Sequence, residues 1–515
     1  MRLPLKIFSL VVALAMLLPL AYLLVRAGSV GLDKAVDLIL RARTLQVIGN
    51  SALLAAAVAL ASLLISLPLA WLTVRTDLPW RQGWTVLAAM PLVIPSYVGG
   101  FALVAMMGPR GMVQEFLAPL GVERLPSIYG FPGALWALTL FTYPYLYLSV
   151  RSGLQNLDPA IEEAARSLGY GPVQTFLRVT LPNLRPSIAA GSLLVLLYTL
   201  SDFGAVSLLR YNSFTRAIYV QYLSSFDRSL ASLLSLILVL MTVLLLLAER
   251  RSRGRIRYYR SSAGVIRRNP PLALGRWRWP ALLLCLGIVT AALLLPAGVV
   301  VFWLLRGLAA GDSLQPVWQA ALNSLYVAGL AAGTAVLLGV PVAYFSTRYP
   351  SRLASLIYQS VYVGYGLPGI VIALSLVFFA ANYMPWVYQS LALLIFAYTV
   401  RFLPQAVGSV QSTLEQISPR LEEAARSLGL NRWAVARRII APLLRPGILT
   451  GGALVFLTTI KELPATLLLG PTGFTTLATQ IWSATDEAFF ARAATPALLL
   501  LVISALSIFL ILSQE

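Results

Sequence analysis

Long apolar runs alternate along this chain with short polar connections. Ile7 to Val25, Ala52 to Trp71, Leu193 to Leu209, Leu230 to Ala248, Ala281 to Leu305 and Ala497 to Leu512 each approach the roughly 20 residues that a helix needs to cross a bilayer. With the weaker runs between them they predict an all-α polytopic membrane protein of about twelve spans. The first run follows Arg2 and Lys6 and precedes Ala27-Gly28-Ser29, the outline of a secretory signal. Its apolar core is longer than such signals carry, so it is expected to remain as the first span.

The pattern occurs twice. Asn50-Ser51 corresponds to Asn323-Ser324 and Pro95 to Pro368 at an offset of 273. Pro144 corresponds to Pro404, Glu163 to Glu423 and Asp202 to Glu462 at an offset of 260. The 13-residue difference falls in Met107 to Gly130, a connection of the kind that tolerates insertion. Two parallel repeats of about six spans each are therefore expected, 1–249 and 280–515, related by an axis along the membrane normal.

Composition acts mainly by exclusion. Of 515 residues, 59% are hydrophobic and 11% charged, far from soluble usage. A net charge of +20 suggests nucleic acid only until the positions are read: the basic residues lie between spans. The densest cluster, Arg250, Arg251, Arg253, Arg255, Arg257, Arg260, Arg267, Arg268, Arg276 and Arg278, falls in one connection, 250–279, expected to be a cytoplasmic linker between the repeats. With Arg2 and Lys6 inside, alternation also places Arg75 and Arg81, 151–185, Arg348 and Arg352, and 401–445 inside, and both termini in the cytoplasm. There is no histidine, and Cys285 is the single cysteine, so Cys/His zinc sites, disulfides and Ser-His-Asp triads are excluded. None of the three lysines, Lys6, Lys34 and Lys461, follows a glycine, so no P-loop exists and the chain is not an ATPase of that kind. No catalytic residue and no metal site is assigned.

Two connections, Leu157 to Pro186 and Ile417 to Pro446, read nearly alike: LDPAIEEAARSLGYGPVQTFLRVTLPNLRP and ISPRLEEAARSLGLNRWAVARRIIAPLLRP. Asp158 and Ser418 are good N-caps, Pro159 and Pro419 suit the first helical position, and glutamates follow where the helix dipole favours them. Gly169 and Gly429 fall where a left-handed residue ends the helix, and a second amphipathic stretch is expected to run until Pro182 or Pro442 stops it. Each segment should form a helix-turn-helix hairpin.

Glu163-Ala164-Ala165 with Gly169 and Val179-Thr180-Leu181-Pro182 resembles the EAA loop of binding-protein-dependent ABC importers. Glu423-Ala424-Ala425 with Gly429 is the second copy, departing from the family at Ala441, where a leucine is usual. The resemblance implies a type I ABC importer permease fold in which these eight residues couple the chain to two copies of a cytoplasmic ABC ATPase. It implies no cofactor on this chain, with ATP and magnesium used by that partner. A periplasmic or lipid-anchored binding protein would deliver the substrate, lipid would surround the spans, and nucleic acid has no part. The paired alanines are expected to offer the ATPase a low-relief surface.

Asp202 and Glu462 are ionisable, repeat-matched and placed about 24 Å along a helix beyond each hairpin, in the outer half of the membrane. They are candidates for lining the translocation pathway; the structural alternative is that the adjacent Lys461 neutralises Glu462 and that Asp202 bonds backbone freed near Gly204 or Pro464. Tyr97, Tyr362 and Tyr365 are candidates for offering phenol oxygens to a hard metal, against the commoner role of interfacial tyrosine. The stretches Ser201 to Tyr222 and Lys461 to Ala494, within a resemblance covering essentially the whole chain, are most similar to the fused permeases of bacterial ferric-iron importers. Thiamine, polyamine, sulfate and molybdate permeases share the EAA loop, so the loop does not choose among substrates. An ion-gradient secondary transporter using Asp202 and Glu462 would leave the EAA loops unexplained. A membrane scaffold would leave the matched acids unexplained.

Overall fold

The computed structural model describes residues 2–29, 31–109, 111–122, 124–224, 229–252, 271–311 and 315–512. Of the Arg-rich connection, 253–270 lies outside the described residues, and with it most of the predicted cluster. Among the described residues the secondary structure is helical apart from one isolated parallel bridge, Thr76 with Leu272.

Nine helices among the described residues are long and apolar enough to cross a membrane, or up to eleven if each of two bent pairs is one span. Twelve were expected. Phe131–Asn156 accounts for the difference: it has 26 residues, like its repeat counterpart Leu391–Gln416, which does qualify. Tyr143, Pro144, Tyr145 and Tyr147 lower its apolarity, yet Tyr143 and Tyr147 are fully buried, so their polar edges face protein and not lipid.

The bent pairs are repeat equivalents. Arg81–Val93 meets Ser96–Leu120 at 92°, and Arg352–Gly366 meets Gly369–Tyr383 at 104°. Pro95 and Pro368 stand at the two breaks in extended conformation, each capping the helix that follows. A proline has no N–H to extend the preceding helix but is pre-set to begin a new one. Close packing fixes the second bend, because a Cβ on Gly364 would overlap the Val400 carbonyl oxygen. That neighbour is backbone and has little freedom to yield. Gly364→Val is therefore expected to cost about 1–3 kcal/mol, read as a lower thermal midpoint in detergent, with little change where a Cβ meets nothing, as at Gly333.

Pro182 and Pro442, expected to stop the second helix of each hairpin, do not. Val173–Ser201 and Trp433–Ile460 run on as spans. A π turn precedes each proline, Phe176–Thr180 in the first and Ala436–Ile440 in the second. Proline removes one N–H and drives its ring toward the carbonyl four residues back, and the wider turn relieves both conflicts. A third π turn, Thr290–Leu294, precedes Pro296 in the same register. The run Leu193 to Leu209, read as one span, is instead broken: Leu181–Ser201 ends at Asp202 and a short helix, Gly204–Leu208, follows.

Two compact units result, and they are not the two sequence halves. One comprises Met1–Thr44, Ala217–Val239 and Trp303–Glu515; the other comprises Leu45–Arg216 and Leu240–Phe302. In the first unit, Arg2–Gly28 packs along Gln315–Arg348, Arg352–Gly366 and Gly369–Tyr383. Tyr22 donates to the Phe378 carbonyl (3.3 Å) and accepts from Asn382 (3.2 Å). In the second, Arg278–Val289 packs on Arg81–Ala89.

Candidate functional site

Both hairpins form as the pattern predicts at their first helix. Asp158 accepts from the Ala160 amide (3.0 Å) and Ser418 from the Arg420 amide (3.3 Å), opening Pro159–Ser167 and Pro419–Ser427. Gly169 and Gly429 both take φ 87°, the left-handed turn that frees the chain to fold back.

These nine-residue helices have two faces. Glu163, Ala164, Glu423 and Ala424 are exposed, whereas Ala165 and Ala425 are buried, so only one alanine of each pair reaches the surface. The physical reason is the helical step of about 100° per residue, which turns adjacent positions to different sides. The hairpins also expose apolar side chains, Ile161, Leu168 (79% exposed) and Val173 in the first and Leu421, Leu428 (85% exposed) and Trp433 in the second, together with the charged Arg166 and Arg426. Exposed apolar side chains of this size among charged ones mark a surface that protein would cover.

Beneath that face lies a feature that the sequence reading missed. Glu162 is 6% exposed and its Oε1 accepts from Arg75 Nη2 (3.2 Å) and from the Thr180 hydroxyl (2.9 Å). Glu422 is 8% exposed, accepting from Arg348 Nε at Oε1 (2.7 Å) and from the Tyr344 hydroxyl at Oε2 (2.9 Å). Arg348 also donates to the Ile417 carbonyl (2.8 Å). Arg75 and Arg348 obey the offset of 273, and Glu162 and Glu422 that of 260, so the repeat carried the signal. Arg75 has one further attachment through its backbone: its carbonyl accepts from the Leu272 amide (2.8 Å), while Asp77 Oδ1 accepts from the Leu274 amide (2.9 Å). The last residues of the inter-repeat connection are thereby clasped to the end of Ala42–Arg75.

The matched acids sit where broken helices cross. Asp202, 6% exposed, accepts at Oδ1 from the amides of Ala205 (3.0 Å) and Val206 (3.3 Å), capping Gly204–Leu208. Its carbonyl accepts from the Thr215 hydroxyl. Gly204 presses on Tyr97, the residue two beyond Pro95, so this break meets the proline break of the same unit. Glu462, also 6% exposed, accepts from Arg401 Nη1 (2.7 Å) and the Ala465 amide (3.4 Å), at the start of Pro464–Leu469. Gly369, one residue past Pro368, lies so close that a Cβ would meet Glu462 Oε1 at 2.6 Å and overlap the Arg401 guanidinium. Arg401, expected to begin the cytoplasmic segment 401–445, instead lies inside Leu391–Gln416 and pairs with Glu462; the repeat gave no warning, since the equivalent position is Phe141.

Among the described residues no three His, Cys, Asp or Glu side chains converge as a metal site. Tyr97 is buried under Gly204, Tyr362 stacks on Tyr358 with ring centroids 4.6 Å apart, and Tyr365 is exposed.

Residues 70–258 and 335–514 each match the family described as binding-protein-dependent transport system inner membrane component. The chain is 33% identical over 513 residues to an Fe(3+)-transport system permease protein of Haemophilus influenzae, spanning 98% of this chain and 97% of that one. It is 25% identical over 442 residues to a ferric transport system permease protein of Actinobacillus pleuropneumoniae, spanning 82% of this chain and 64% of that one. A sulfate transport system permease protein of Salmonella typhimurium is 27% identical over 249 residues, 47% of this chain and 89% of that one.

Proposed function

Because the chain belongs to the binding-protein-dependent transport system inner membrane components and carries that domain twice, we propose that it supplies both transmembrane halves of an ATP-driven ferric-iron importer. The observation that carries the reading is the pair of hairpins, each exposing a glutamate, an alanine and large apolar side chains while its inner face is anchored to its own unit. Two equivalent faces suit two copies of one cytoplasmic ATPase, with Glu163, Ala164, Gly169, Glu423, Ala424 and Gly429 at the contact. Ala165 and Ala425 shape it from below. In this reading both termini are cytoplasmic, and a binding protein delivers the cargo from the opposite side.

The cargo assignment draws on the end-to-end relationship to an Fe(3+)-transport permease. Asp202 and Glu462 hold open breaks beside the pathway, through backbone amides in both cases and Arg401 in one, and serve the route as its frame.

Reconstitution with the ATPase and with binding protein loaded in turn with labelled ferric ion, thiamine, putrescine or sulfate tests both levels. ATP-dependent accumulation of iron alone is expected. Accumulation of another cargo without iron would overturn the substrate and leave the importer. Uptake driven by a proton gradient in vesicles lacking the ATPase would overturn the importer itself.

A further inference from the structure

We propose that Glu162 and Glu422 are positioning residues that bolt each hairpin to a lever, the last two turns of Ala42–Arg75 and of Gln315–Arg348, so that a push on the exposed face moves a span. The inference rests on the importer reading above and names the part through which coupling would pass.

Four observations converge on it. The first is geometry: each glutamate reaches the arginine that ends a 34-residue helix, about 51 Å long at 1.5 Å per residue. Arg75, Glu162 and Glu422 are buried and the Arg348 side chain is only 10% exposed, so loss of one partner leaves the other charge poorly compensated. The second is phase. Glu162 and Glu163 are adjacent, so the residue under the partner's contact and the residue gripping the span are joined by one rigid helical step.

The third is an exchange between the repeats. The second donor to Glu162 is Thr180 from the π turn, and the equivalent position in the other half is Ile440. The second donor to Glu422 is Tyr344 from the span, and its equivalent is Trp71, which packs edge-on to Phe176. The hydroxyl has changed residue and side, yet each carboxylate receives an arginine and a hydroxyl. Two different solutions to one geometric requirement point to the requirement, a glutamate held in place, as the feature that matters.

The fourth is a pivot. Pro68 and Pro341 lie inside the two long helices, each seven residues before its arginine and repeat-equivalent at 273. A proline interior to a helix removes one backbone hydrogen bond and is the usual place for it to bend. Leu69–Arg75 and Val342–Arg348 are thus short arms beyond a weak point, with the hairpin fastened to their ends.

The test uses the full chain with its ATPase and iron-loaded binding protein in proteoliposomes, reading three quantities: ATPase retained, ATP hydrolysed, and iron imported per ATP. Replacing Glu162→Ala with Glu422→Ala is expected to retain the ATPase and its hydrolysis while lowering iron per ATP at least tenfold. Partial recovery is expected when the pairs are reversed, Arg75→Glu with Glu162→Arg and Arg348→Glu with Glu422→Arg. Should the alanine chain not accumulate, Glu162→Gln with Glu422→Gln keeps the hydroxyl bonds without the charge and is read in the same way. Iron per ATP unchanged in the folded variant overturns the lever. Loss of ATPase binding also overturns it, since the glutamates would then serve the contact directly. If the unsubstituted chain imports no iron with ATP, the importer reading fails, a result separable from a failure of the variants alone.

Discussion

A chain carrying Glu163→Lys together with Glu423→Lys is expected to reach the membrane in normal amount and to lose ATP-driven uptake by more than tenfold. Both glutamates are exposed and neither takes part in the buried pairs beneath them, so the fold should register the change within about 0.5 kcal/mol. The contact is another matter. Each substitution reverses a charge on a surface that also exposes Leu168 or Leu428, which under the importer reading the ATPase would cover. Truncating one partner of a buried interfacial charge pair costs about 2–5 kcal/mol, reversal costs more, and every 1.4 kcal/mol is tenfold in affinity. Co-purification of the ATPase gives the direct reading, and iron uptake the consequence. Under the importer reading single substitutions should be milder, because the other hairpin would still hold an ATPase copy. Uptake and co-purification both at the unsubstituted level would mean that these faces are not where the ATPase binds.

The hairpins are legible in the sequence because the contacts that set their first turn are local. Asp158 and Ser418 cap within two residues, and the glycines turn the chain where the helix ends. What the same helices do on their inner side is not local. Glu162 meets Arg75 across 87 positions, and Tyr22 meets Phe378 across 356. Hydropathy records that a residue is apolar but not which unit will bury it, so the exchange of first spans between the sequence halves leaves no periodic trace. The π turns illustrate a different limit. Proline was read as a stop because within a regular helix it is one; the chain kept its direction by changing the turn instead of ending it. A repeat is most informative where both copies agree, as Arg75 and Arg348 do, and silent where they differ, as Phe141 and Arg401 do.

That last difference leads to the second large effect. Arg401→Phe alone is expected to cost about 3–5 kcal/mol, because it leaves Glu462 buried with its charge uncompensated. So large a loss should appear as failure to accumulate in the membrane. Adding Glu462→Asp should restore much of it. The pair would then copy the other repeat, where Phe141 occupies the equivalent position and the shorter Asp202 turns back onto two backbone amides three and four residues ahead. A carboxylate satisfied by amides at a helix start draws on the helix dipole as well as on hydrogen bonds, and does not depend on a guanidinium partner. Membrane abundance and the thermal midpoint in detergent decide the matter: recovery in the double variant identifies capping of the broken span as what Glu462 is for, whereas a double variant as poor as Arg401→Phe would show that the ion pair itself is required.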